Sequence, residues 1–143
     1  MIRITNIRRC HVSEYNEIYL IVRSIASLEK SKSSILKHAS HAPELSPSSR
    51  LFYDYLNWNK ANEWNQDKFD NCYKPIFLKE LEHNPEANTL INHLVEKDHE
   101  GKNIALLCFC QDENLCHRSI IGNILEQKGC NVIYDRDIDN KKV

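Results

Sequence analysis

The sequence predicts a three-layer α/β fold with a small, mostly parallel sheet of about four strands and helices on both faces. Two observations lead there. Residues 104–109 (IALLCF) form an uninterrupted apolar run of strand length, the pattern of a strand covered on both faces. After the polar turn QDEN, Ile120, Ile121, Ile124 and Leu125 recur at helical spacing until Gly129 stops the helix, and residues 131–134 read as another short strand. Strand, loop, helix and strand make a βαβ unit, whose crossover is right-handed almost without exception.

The other elements follow in chain order. Residues 3–7 read as a short strand and residues 17–24 (EIYLIVRS) as a stronger one, rich in β-branched side chains. If the second runs parallel to residues 104–110, Arg23 and Ser24 fall at its carboxyl end, within reach of the crevice that Arg118 enters. Residues 26–45 are rich in Ser, Lys and His with weak periodicity, which predicts a long connection with a short helix near residues 33–37. His38 and His41 lie in it and are candidates to close over a site, with His41 the one assigned to the ligand.

Ser46 before Pro47 marks a helix start, with Leu51, Phe52, Tyr55 and Leu56 as its apolar face. A second helix begins near Asn65 and carries the stripe Phe69, Cys72, Tyr73, Ile76, Phe77 and Leu81. Pro75 should kink or divide it. Asn84 with Pro85 opens a third, with Ala87, Leu90, Ile91, Leu94 and Val95 inward and Gly101 at its end. All three stripes read as core, and residues 136–143 as a charged, frayed tail.

A chain of 143 residues without internal repeats suits one domain spanning 1–143. Nineteen Lys plus Arg against 20 Asp plus Glu leave a net charge of −1, which argues against binding duplex nucleic acid by bulk electrostatics. The sequence shows neither a signal-length apolar core at residues 1–12 nor a membrane-span-length apolar run, so a cytoplasmic location is expected. In such a reducing compartment, six cysteines point to free thiols, a metal site or catalysis rather than a disulfide framework.

The chemistry concentrates in CFCQDENLCHRS, at the carboxyl edge of the central strand, where ligands of open parallel sheets bind. One reading is an anion site: the first N–H groups of the helix lack intrahelical partners, Arg118 offers a planar fork, and Ser119 can donate a further bond. A second makes Cys116 or Cys110 a nucleophile, its thiolate favoured by the helix dipole, His117 and Arg118, while Cys108 is read as a packed residue. A third gathers Cys108, Cys110, Cys116 and His117 around zinc. A fourth is a redox disulfide between Cys110 and Cys116. Arg118 in the first helical turn opposes the dipole, so a ligand anion or a carboxylate from Asp112, Glu113 or Asp135 should compensate it.

The segment ALLCFCQDENLCHRSIIGNILEQKG resembles the C-terminal signature of the family catalogued as domain of unknown function 488, an apolar strand ending in Cys, a polar turn, then Cys-His-Arg-Ser opening a helix. HAPELSPSS, Trp64, Phe69 and Tyr73 are similar to that family's middle region, and the resemblance covers roughly residues 41–135. It implies no particular reaction. The residues favour an enzyme acting on a phosphate-bearing ligand, either a nucleotide or a nucleic acid end. Cys110, Cys116 and His117 are then catalytic, and Arg118, Ser119, Arg23 and His41 contact the ligand. A non-catalytic nucleotide- or nucleic-acid-binding module needs the same anion site without a perturbed thiol.

Overall fold

The computed structural model describes residues 1–109 and 115–135. Five strands, β1 (Ile2–Asn6), β2 (Glu17–Leu20), β3 (Ser40–His41), β4 (Ile104–Cys108) and β5 (Val132–Tyr134), form one sheet in the order β3-β2-β4-β1-β5. Every pairing is parallel. Together with its helices the sheet makes the expected three-layer α/β fold. The apolar run of β4 takes the centre because all five of its residues are buried, which requires cover on both faces.

The helices are α1 (Ala26–Lys30), α2 (Ser49–Lys60), α3 (Gln66–Lys68), α4 (Lys74–Glu82), α5 (Pro85–His99) and α6 (His117–Gln127). Between α3 and α4 the chain makes a π turn over Phe69–Tyr73, which ends two residues before Pro75. A proline lacks the N–H that would continue the α ladder and presses on the preceding turn, so the helix divides there as expected. Asn84 caps α5 as expected, its Oδ1 accepting from the N–H groups of Glu86 and Ala87.

Besides α1, which forms within the expected connection, and β2, which ends at Leu20 rather than at residue 24, two elements differ from expectation. The cap of α2 is Ser48 rather than Ser46: its Oγ accepts from Leu51 N–H at 3.1 Å, while its own N–H and hydroxyl donate to Glu80. Ser46 closes the preceding turn on the Pro43 carbonyl at 2.6 Å, so Pro47 lies ahead of the helix. Among three serines in SPSS, the Glu80 carboxylate selects the one that caps. The second difference is β3, a two-residue strand with both side chains exposed, too short for any periodicity to announce it.

β4 and β5 both pair with β1 or flank it, so α6 crosses over β1 on the way between them. Gly122 makes that crossing close: a Cβ there would stand 2.6 Å from Ile4 Cδ1 and against the Tyr134 hydroxyl. The chain leaves β1 toward β2 and leaves β4 toward β5, in opposite directions along the sheet. Such a reversal opens a crevice at the carboxyl ends of the strands. Among the described residues no helix is long and apolar enough to cross a membrane. The expected tail 136–143 and polar turn 111–114, with Asp112 and Glu113, lie outside the described residues, as does Cys110.

Candidate functional site

A cavity of about 630 Å³ opens at the carboxyl ends of β2 and β4. Its rim is exposed and its floor buried. Arg23, Ser24, Phe52 and Phe109 stand at the solvent side, whereas Cys108, Cys116 and His117 are 0, 2 and 7% exposed. Tyr55, Trp64 and Tyr73 line the space between. Ring contacts run without a break from rim to floor: Tyr55 meets Phe52 at 6.1 Å and Trp64 at 4.8 Å, Trp64 meets Tyr73 at 5.4 Å, and Tyr73 meets Phe77 at 6.2 Å. Phe77 is edge-on to His117 at 5.8 Å. Edge-to-face pairs of this kind hold rings in fixed orientations.

At the floor, the start of α6 folds back onto the end of β4. Cys116, the residue ahead of the helix, brings its Sγ to 3.3 Å from Cys108 Sγ, and neither is in a disulfide. His117 Nε2 lies 2.6 Å from the Ile21 carbonyl oxygen. A carbonyl only accepts, so Nε2 carries the hydrogen and Nδ1 keeps its lone pair. Nδ1 faces Cys116 Sγ at 3.6 Å. Burial holds the imidazole below its ordinary pKa, against raising contributions from Cys108 and the Ile21 carbonyl, which keeps it neutral and able to accept a proton.

Arg23 is the cation of the rim. Its guanidinium lies 5.1 Å from the Phe52 ring centre and donates from Nη2 to Ser49 Oγ at 2.5 Å. These contacts fix a charge at the mouth while leaving other donors of the fork toward solvent.

Of the residues singled out in the sequence, the cavity brings together Arg23, Cys108, Cys116 and His117. Arg118, Ser119 and His41 do not line it. Arg118 is 3% exposed and points its Nη1 at Cys108 Sγ, 3.6 Å away. Ser119 Oγ donates to the Cys116 carbonyl at 2.8 Å, tightening the first turn of α6. His41 Nε2 meets the Val22 carbonyl at 2.7 Å, tying the β3 edge to the segment that leads to Arg23. Asp135 pairs with Arg3 at 2.7 Å rather than with Arg118.

The cavity wall is the part that sequence reasoning missed. Phe52 and Tyr55 share a stripe with Leu51, which is buried, and helical spacing cannot separate a side chain that packs inward from one that lines a cavity. The available signal is the clustering of rings in FYDYLNW and the later Trp64. For the proposed zinc set, Cys110 lies outside the described residues. Among those described, the donor atoms close enough to share an ion belong to Asp98, His99 and Cys130 at the opposite edge of the sheet. There Asp98 already binds the amino group of Met1 at 2.7 Å and the N–H of Asn131 at 3.2 Å.

A family model described as the active DUF488-N3 subclade matches residues 2–129, a span that contains β1 through α6 and the whole cavity lining. No curated protein and no solved structure matches the chain.

Proposed function

The chain belongs to the active DUF488-N3 subclade, and from that membership and the cavity we propose that it is an enzyme acting on a nucleotide or a nucleic acid end. The observation that carries this reading is one cavity with an aromatic wall, a guanidinium at its mouth, and two thiols and a neutral imidazole at its floor. About 630 Å³ is the size of a small-molecule site. A planar base laid against the wall of Tyr55, Trp64 and Tyr73 gains stacking that is sequence-tolerant and worth about 1–3 kcal/mol per base. The phosphate then lies outward at Arg23, whose planar fork suits it.

This orientation directs the chemistry to the base or sugar, because the buried floor is where the reactive groups stand. His117, locked by Ile21, is the proton acceptor of the floor, and one of the two thiols there is the nucleophile, an arrangement of nucleophile, base and orienting group. The subclade's description as active supports catalysis over binding alone. The screening of both sulfurs from bulk water supports the opposite reading, a non-catalytic nucleotide-binding module. Thiols no more reactive than free cysteine, with nucleotide binding intact, would select that second reading.

Calorimetry with nucleosides and their 5′-monophosphates tests the proposal. Monophosphates should bind at least about tenfold more tightly than nucleosides, as expected for one charge-assisted contact. Arg23→Gln should erase that increment, and Trp64→Leu should weaken both classes. A protein that binds no member of either class overturns it.

A further inference from the structure

Arg118 is the charge in this fold that packing does not explain. It is 3% exposed, and among the described residues no carboxylate pairs with it. A guanidinium stays protonated, and a buried charge without a counter-charge is strongly disfavoured. Its position aggravates this, since the second residue of α6 stands at the positive end of the helix dipole. Nε finds no hydrogen-bond partner, and Nη1 donates to Cys108 Sγ at 3.6 Å. The sulfur is the group placed to supply the missing negative charge.

We propose that Cys108 is held as a thiolate by Arg118 and is the reactive sulfur of the cavity, with Cys116 donating its S–H to it. Cys108 is the last residue of β4 and borders the cavity although bulk water does not reach it. The titratable and charged groups that meet it among the described residues come from the start of α6 and the residue ahead of it: Cys116 at 3.3 Å, Arg118 at 3.6 Å and the nearby imidazole of His117. From β1 the residue in register is the uncharged Asn6. A cation, a thiol donor and a helix N-terminus all favour the ionised form. Cys116, by contrast, lies 3.6 Å from a neutral imidazole, which adds no charge to favour its ionised form. Arg118 is thus a positioning residue that acts through Cys108 rather than a contact to ligand phosphate.

The inference rests on the cavity being catalytic, and its test does not need the ligand. The full chain, metal-free by dialysis against chelator, is held near pH 6, well below the ordinary thiol pKa of about 8.5. Thiolate is read from its ultraviolet absorbance, which requires no reagent access, and reactivity from iodoacetamide labelling mapped by peptide mass spectrometry. The expected result is about one thiolate per chain, abolished by Cys108→Ser, retained by Cys116→Ser, and labelling led by Cys108. Arg118→Met should slow Cys108 labelling at pH 6 at least about tenfold, the change for one unit of pKa, and Arg118→Lys should restore part of it.

Melting curves confirm that each variant is folded, and Arg118→Lys carries the comparison if Arg118→Met is not. No thiolate near pH 6 in the parent, a thiolate that survives Cys108→Ser, or a rate indifferent to residue 118 overturns the assignment. Nucleotide calorimetry fails or succeeds independently. A Cys108 thiolate without nucleotide binding leaves this inference standing and removes the substrate class, and the converse pattern does the reverse.

Discussion

His117 shows at the scale of one residue how the fold and the chemistry depend on each other. Its Nε2–H satisfies the Ile21 carbonyl at the end of β2, and its ring is buried edge-on against Phe77. Burial lowers its pKa, so the unfolded chain, in which the ring titrates near about 6.5, binds a proton that the native state resists. Native stability contributed by neutral His117 is therefore present above about pH 6.5 and declines as the pH falls below it, with a limiting slope of about 1.4 kcal/mol per pH unit. Urea denaturation from pH 7.5 down to 5 should show that acid limb, and His117→Gln should flatten it. An acid limb unchanged in the variant would assign the effect elsewhere. Cys116, His117 and Arg118 are legible in the sequence as the start of α6, because the helical stripe and the polar turn before it show which residues open the helix. Cys108 was read as packing: alternation tells which face of β4 it occupies, but not that Cys116 returns to within 3.3 Å of it.

At the scale of elements, the βαβ unit was readable and its partner was not. An apolar run, a helical stripe and a glycine stop announce β4, α6 and β5, yet nothing in them says that β1 lies between the two strands. The consequence of that topology is Gly122. Gly122→Ala should destabilise the protein by about 1–3 kcal/mol, because overpacking against Ile4 and Tyr134 outweighs the gain in helix propensity of about 1 kcal/mol. A melting temperature equal to or above the parent's would show that α6 does not cross β1 this closely. Ser48 makes a parallel case at the start of α2, which forms part of the cavity wall. Ser48→Ala removes the cap and the contact with Glu80 and should cost about 0.5–2 kcal/mol, whereas Ser46→Ala should cost less. The reverse order would restore the cap position that the Ser-Pro pattern alone suggests.

Across the whole molecule, the parallel sheet collects chemistry from distant parts of the chain at one edge: Arg23 beyond β2, the aromatic wall from α2 to α4, and the thiols between β4 and α6. The account's central claim is that this edge holds a nucleotide above a reactive sulfur. The most direct measurement is the iodoacetamide labelling rate of Cys108 and Cys116, followed by peptide mass spectrometry, with and without saturating 5′-nucleotides of each base. The account predicts that at least one nucleotide slows labelling of the floor cysteines by about tenfold or more, as mass action requires once it fills most of the sites. Labelling of Cys72, which does not line the cavity, should be unaffected, and protection should vanish in Trp64→Leu. Rates at Cys108 and Cys116 that no nucleotide changes would contradict it.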